Sequence, residues 1–120
     1  MSTGYISEKF LAILYRNAQV FLFPSKYEGF GLPVLEAMAC GCPVVCSTAG
    51  SLAEVAGDAA ILVDPQDREG MGEAVAQLLS DRSLLRLYKA RSVQRAAKFS
   101  WERTAREVFR VYEQVVQSRN

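Results

Sequence analysis

Residues 20–46, VFLFPSKYEGFGLPVLEAMACGCPVVC, decide the fold of this chain. Two short apolar runs, Val20–Phe23 and Pro43–Cys46, enclose a loop and a helical segment. An unbroken apolar run of this length predicts a strand that is covered on both faces. Pro33 suits the first residue of a helix and Gly41 its end, so a helix is predicted over residues 34–40. The stretch therefore predicts a strand, a glycine-containing loop, a helix and a second strand.

The flanking residues extend this alternation. Ser7 caps a predicted helix that runs to about residue 17, with Phe10, Leu11, Ile13 and Leu14 on one face. The other predicted elements are a helical turn at 50–57, a strand at 60–63, and helices at 67–79, from 81 or 83 to 98, and from 100 onward, where the Trp101 stripe packs in the core. Short strands that alternate with helices predict a parallel sheet with right-handed crossovers. The predicted fold class is α/β, with a small three-stranded parallel sheet flanked by helices and a helical C-terminal region.

Composition narrows the function classes. The 120 residues carry 14 basic and 13 acidic side chains, for a net charge of +1. This balance predicts neither nucleic acid nor an anionic membrane as a partner. No apolar run reaches the ~18 residues of a membrane span, and the first residues do not resemble a signal peptide. With no histidine and an odd number of cysteines, we expect a cytoplasmic protein without His-based catalysis, His metal sites or a disulfide framework.

Two other clusters have alternative interpretations. The spacing of Cys40, Cys42 and Cys46 is compatible with soft metal ligation, but it supplies only three ligands, so we expect small buried residues and no metal site. Cys42 lies in a predicted turn and is the best candidate for a reactive thiol. The basic residues between Arg82 and Lys98 are spread around a helix and are predicted to form a solvated face.

The loop after the first strand is the first candidate for chemistry, because ligands of open α/β sheets lie beyond the carboxyl ends of the strands. Gly29 and Gly31 allow the backbone to turn sharply and to approach a ligand. The amide groups of Val34 and Leu35 are expected to be free and to point into the loop. Such a helix end favours a phosphate.

Two carboxylates flank this predicted phosphate site. Glu36, in the expected first helical turn, faces away from the apolar positions Val34, Leu35, Met38 and Ala39, and Glu28 lies in the loop. Carboxylates bind hydroxyl groups, so the pattern suits a sugar, a phosphate and a ribose better than a bare phosphate. The alternative is a loop that only turns the chain, with Glu28 solvated and Glu36 favoured by the positive helix end.

The string closely resembles the signature of the retaining glycosyltransferases of family 4, the "glycosyl transferases group 1" family, which has the GT-B fold. Its mark is a pair of glutamates separated by seven residues within E-G-F-G-L-P-x-L-E-A-M-A-x-G, here Glu28 and Glu36. The flanking matches are 14–18, 23–25, 43–45, 50–51, 54–60 and 99–101, so the resemblance covers nearly the whole chain.

The resemblance implies roles for the motif residues. It places Glu28, the candidate catalytic residue, beside the transferred sugar and Glu36 on the ribose hydroxyls. The other implied donor-binding residues are Gly29, Phe30, Gly31 and Leu32, whose backbone amides contact the sugar and diphosphate. The family transfers sugar from a nucleotide-diphosphate sugar with retention, usually without a metal, and no cofactor is expected.

The resemblance is confined to the second half of the GT-B C-terminal domain. We therefore expect residues 1–120 to form one partial nucleotide-sugar-binding domain, half of a Rossmann-like domain. It lacks the acceptor domain and the cationic G-R-x-x-x-x-K-G stretch, a role that Arg16 and Lys26 do not fill. A leaving diphosphate needs cationic stabilisation, so the isolated chain is expected to be inactive and to bind the donor weakly or not at all.

The strand at Val20–Phe23 would pair in the family with the strand that this chain lacks. An open apolar edge is a template for another chain, so a homodimer or higher oligomer is expected. The alternative function is therefore a non-enzymatic, self-associating half-Rossmann module. A phosphorelay receiver is disfavoured because the first strand is not followed by its phosphoacceptor aspartate.

Overall fold

A computed structural model describes residues 7–26, 31–99, 110 and 113–117. Its elements are α1 (Glu8–Asn17), β1 (Phe21–Phe23), α2 (Leu32–Ala39), β2 (Val44–Ser47), α3 (Leu52–Ala56), a 3-10 turn (Gly57–Ala59), β3 (Ala60–Val63), α4 (Arg68–Ser80) and α5 (Arg82–Ala97). The predicted order of elements is confirmed through residue 97. Residues 110 and 113–117 are helical, whereas Trp101 lies outside the described residues.

The strands form a parallel sheet in the order β1-β2-β3, which confirms the predicted fold class. The central strand β2 is buried along its whole length. The edge strand β1 is not, because Leu22 is 44% exposed. The prediction that both faces of this strand are covered is therefore wrong. The reason is coverage: α2 packs on β1, but α4 covers the opposite face only over β2 and β3.

Two apolar clusters hold the sheet between its helices. On one face, side chains of α1, α2 and α3 pack against β2 around Val34, Met38 and Leu52. On the other face, Val45 packs with Ala74 and Leu78 of α4. Burial of side chains of this size supplies about 1.5–3 kcal/mol each. Both faces of the central strand therefore contribute to stability.

Helix α1 buries a different side chain from the ones that its apolar spacing indicates. Phe10, Ile13 and Leu14 are exposed, and Leu11 packs only partly against the core. The buried residue is Tyr15, whose ring meets Phe21 edge-on, with the ring centres 5.2 Å apart. The amphipathic spacing predicts the helix correctly but not the face that it buries.

The two aspartates before the last described helices act as N-caps. The Asp67 carboxylate accepts a hydrogen bond from the Gly70 amide at 2.9 Å, and the Asp81 carboxylate accepts one from Leu84 at 3.1 Å. Each bond satisfies an amide that has no partner within its own helix. Within the described ranges, every helix is too short or too polar to span a bilayer.

The thiols of Cys42 and Cys46 are buried. Burial raises the pKa of both thiols to about 11, so they stay protonated near neutral pH. Reactivity requires the thiolate and access to solvent. The prediction that Cys42 is a reactive thiol is therefore wrong: the turn around it is covered by α5, where the buried Ser92 hydroxyl donates to the Cys42 carbonyl at 3.1 Å.

Candidate functional site

The carboxyl ends of the three strands share one edge of the sheet because the strands are parallel. At this edge Ser47, the last residue of β2, is fully buried. Its hydroxyl donates to the Ser25 carbonyl and accepts a hydrogen bond from the Ala49 amide at 3.4 Å. Ser47 therefore ties the loop after β1 to the loop after β2. Sequence analysis missed this role, although a polar residue that ends an apolar run is the signal for it.

Gly31 connects the loop after β1 to helix α2, of which it is the N-cap. Its φ of 77° and ψ of 35° are left-handed, a conformation that favours glycine. A Cβ atom at this position would lie 2.7 Å from the Cδ2 atom of Leu52 in α3. The sequence predicts a turn here, and the structure adds a close approach between the loop and α3.

The first turn of α2 offers fewer free amides than the sequence indicates. The Val34 and Leu35 amides both donate to the Gly31 carbonyl, at 3.0 and 3.2 Å. The prediction that these two amides are free is therefore wrong. The carbonyl of the left-handed Gly31 accepts both amides of the first helical turn, and Pro33 has no N–H group to donate. The exposed Leu32 begins the helix, and within the described ranges the amides of Leu32 and Gly31 donate to no backbone carbonyl.

Glu36 begins the second turn of α2, whereas the sequence predicts it in the first turn. It is the fifth residue of α2, and its side chain is half-buried. It stands near Tyr15 of α1: burial chiefly, and then the Glu36 charge, raise the pKa of the Tyr15 hydroxyl. On the same helix Ala39 is exposed and Ala37 is buried, so the predicted apolar face is shifted at that point.

The structure brings three of the predicted donor-binding residues together in the first two turns of α2. These are Gly31, Leu32 and Glu36. The other three, Glu28, Gly29 and Phe30, lie outside the described residues. The described part of the site thus offers backbone amides at a helix start and a carboxylate, a combination able to bind a phosphate and hydroxyl groups.

Helix α3 lies next to Gly31, and α5 donates hydrogen bonds to α3 and to the turn that follows it. Arg95 of α5 donates to the Val55 carbonyl at 2.9 Å and to the Glu54 carbonyl at 2.5 Å, and Arg91 donates to the Asp58 carbonyl at 3.3 Å. The predicted solvated basic face is wrong for Arg95, whose contact with Val55 is part-buried, whereas the contact of Arg91 is exposed to solvent. A long cationic side chain reaches the carbonyls that end a neighbouring helix, and spacing along α5 does not reveal this.

A parallel sheet between two helical layers, with a glycine-led helix at its carboxyl edge, defines a Rossmann-like unit. The model of the family "Glycosyl transferases group 1" matches residues 1–98, and the chain belongs to that family. The match includes all six predicted donor-binding residues.

The chain is also similar in sequence and structure to individual known proteins. The chain is 45% identical over 109 residues to O-antigen chain mannosyltransferase B of Escherichia coli, covering 91% of this chain and 29% of that protein. It superposes on sucrose-phosphate synthase of Thermosynechococcus elongatus with a TM-score of 0.79 and 34% identity, over 97% of this chain and 30% of that one. It also superposes on the C-terminal domain of a glycosyl transferase group 1 family protein of Francisella tularensis. There the TM-score is 0.71 with 30% identity, over 79% of this chain and 50% of that domain's chain. The chain therefore spans less than a third of the mannosyltransferase that it matches.

Proposed function

We propose that this chain forms part of the donor site of a retaining glycosyltransferase of family 4, which transfers a sugar from a nucleotide-diphosphate sugar. The observation that carries the proposal is the start of α2. A left-handed glycine opens this helix at the carboxyl edge of the sheet, inside the segment that the family model matches. The likeness to a mannosyltransferase favours a mannosyl donor as the first to test.

In this proposal, each motif residue contacts a different part of the donor. Glu28 contacts the transferred sugar, and Glu36 accepts hydrogen bonds from the ribose hydroxyls. The amides of Phe30, Gly31 and Leu32 hold the sugar and the diphosphate, with Gly29 allowing the close approach of the backbone. The half-buried position of Glu36 supports its role, since partial burial strengthens a hydrogen bond to a carboxylate. The proposed transfer uses no metal and no cofactor.

We further propose that residues 1–120 correspond to the second half of a GT-B C-terminal domain. The match to half of a solved C-terminal domain supports this position. A departing diphosphate requires cationic stabilisation of several kcal/mol, and the described part of the site provides amides and a carboxylate. We therefore expect weak donor binding at most, and no turnover, from the isolated chain.

Titration calorimetry with UDP, GDP and ADP and their sugars tests the donor site. We expect one nucleotide-diphosphate sugar to bind and Glu36→Gln to weaken that binding about tenfold, which corresponds to one lost charged hydrogen bond. Glu73→Gln is the matched control, because Glu73 is exposed on α4, which packs on the opposite face of the sheet from α2. Equal affinities for the two variants would refute the assignment of Glu36. Sugar transfer by the pure chain would refute the proposed inactivity.

A second candidate function is self-association as a structural module in the cytoplasm. It is favoured by the edge position of β1 and by the exposure of Leu22, which leave an apolar strand open to another copy of the chain. Light scattering over a wide concentration range should show a dimer or higher oligomer that Leu22→Lys weakens. A monomeric mass at every concentration would contradict this candidate.

The free thiols support a reducing compartment such as the cytoplasm.

A further inference from the structure

We infer that Arg95 is a positioning residue for the donor loop: it acts on Gly31 through helix α3. The inference rests on the proposed donor site and assigns it a residue that lies outside the signature motif. Arg95 is on α5, 64 positions after Gly31 in the sequence. Helix α3 approaches Gly31 with two side chains, Leu52 and Val55, and of these Val55 also accepts a hydrogen bond from Arg95.

Val55 makes both contacts of this connection. Its carbonyl accepts the hydrogen bond from the Arg95 Nε atom at 2.9 Å. Its side chain, which is 4% exposed, lies on the other side against the loop, where a Cβ atom on Gly31 would meet Val55 Cγ1 at 3.9 Å. The position of Arg95 and the position of Gly31 are thus linked through one residue of α3.

Helix α3 needs this support because it has only five residues, too few to hold its place by its own hydrogen bonds. Its last carbonyls have no partner within the helix. Arg95 donates to two of them, those of Glu54 and Val55, and the cation also opposes the negative end of the helix.

The surroundings of Arg95 fix the guanidinium group in this place. Its Cζ atom lies 5.2 Å from the centre of the Phe99 ring, a cation–π distance. On the other side, a Cβ atom on Gly57 would lie 2.9 Å from the same Cζ atom. Only glycine at position 57 leaves room for the arginine, so the turn after α3 and the arginine side chain fit each other.

Amide hydrogen exchange provides a test that needs no ligand. The reporters are the Val34 and Leu35 amides, which donate to the Gly31 carbonyl, and the Ile61 amide in β3 is the reference. For Arg95→Met we expect exchange at the two reporters to accelerate about tenfold with Ile61 unchanged, as for a local opening. Arg95→Lys, which keeps the charge and one donor group, should give a smaller acceleration and serves if Arg95→Met does not fold.

Arg91→Met is the matched control, since it removes the same group from the same helix but contacts the Asp58 carbonyl beyond α3. In Arg91→Met the two reporter amides should exchange at the same rate as in the unchanged chain. Unchanged reporters in both Arg95 variants would overturn the inference, and so would equal acceleration at Ile61, which indicates general destabilisation. Calorimetry on the same variants separates the two proposals. If the reporters accelerate selectively while no variant binds a nucleotide sugar, the positioning role stands and the donor site fails.

Discussion

Gly31 and Gly41 offer a matched test of the contact between the candidate loop and helix α3. Both residues are left-handed, with φ of 77° and 76°. A Cβ atom on Gly31 would lie 2.7 Å from Leu52 Cδ2, inside van der Waals contact. A Cβ atom on Gly41 would meet Val93 Cγ2 at 3.5 Å, which is an ordinary contact. Alanine at the two positions therefore shares the backbone cost and differs in the clash.

The two costs can be estimated separately. A left-handed residue with a side chain costs roughly 1–2 kcal/mol. The added methyl group also overpacks a site where Leu52 is fully buried, so the core must accommodate a shift of its Cδ2 atom, which costs roughly 1–3 kcal/mol. We expect Gly31→Ala to lower the free energy of unfolding by about 2–5 kcal/mol and Gly41→Ala by about 1–2 kcal/mol.

Urea denaturation followed by circular dichroism measures these differences. Gly72→Ala is a control that should raise the free energy of unfolding. A Cβ atom there meets nothing within 4 Å, so the alanine should stabilise helix α4 by about 0.5–1 kcal/mol. The Leu52→Ala background should remove the extra cost at Gly31 and leave the cost at Gly41 unchanged. Equal losses for Gly31→Ala and Gly41→Ala would refute the close approach of Leu52 to the loop.

Three further outcomes are expected. Burial raises the pKa of Cys42 and Cys46 from 9.0 to about 11, so the folded state binds more protons than the unfolded state between those values. The contribution of these two thiols to the free energy of unfolding should be constant well below pH 9 and fall above it by up to about 1.4 kcal/mol per pH unit for each thiol, and no fall between pH 9 and 11 would contradict this. Asp81→Ala should cost about 1 kcal/mol in urea denaturation, the usual effect of a lost N-cap, and a neutral result would contradict the cap. Ser47→Ala and Ser92→Ala each remove a buried hydroxyl bonded to a carbonyl and should cost a similar 1–3 kcal/mol, roughly, but only Ser47→Ala should weaken donor binding in calorimetry.

The succession of elements follows from the sequence because each boundary has a local chemical cause. Ser7 and Asp67 cap their helices as expected, and Gly41 ends α2 in the left-handed conformation. What the sequence does not reveal is which faces the neighbours cover. Leu22 belongs to an unbroken apolar run, yet it is exposed because helix α4 does not extend over β1. Coverage depends on the whole arrangement of helices, and four residues of one strand contain no information about it.

The candidate site was predictable in place but not in detail. Its location after β1 follows from the parallel sheet and the glycines, whereas the state of its amides depends on the exact backbone of one residue. Once Gly31 adopts a left-handed conformation, its carbonyl takes the Val34 and Leu35 amides. The supporting contacts of Ser47 and Arg95 join segments that are distant in the chain. The polar end of an apolar run marks Ser47 as unusual, but no local pattern indicates the partner of either residue.

Ligand binding explains only some of the residues in the signature motif. Packing alone accounts for several of its residues: Gly31 must accommodate Leu52, and Ala37 and Met38 are fully buried. These positions would be required in a module that had no ligand at all. Packing does not account for a carboxylate at Glu36, which is half-buried near the Tyr15 hydroxyl. A binding function therefore depends on the glutamates of the motif more than on its glycines. For the same reason the pair of variants at Glu36 and Glu73 discriminates better between a donor site and a structural module than any measurement of fold.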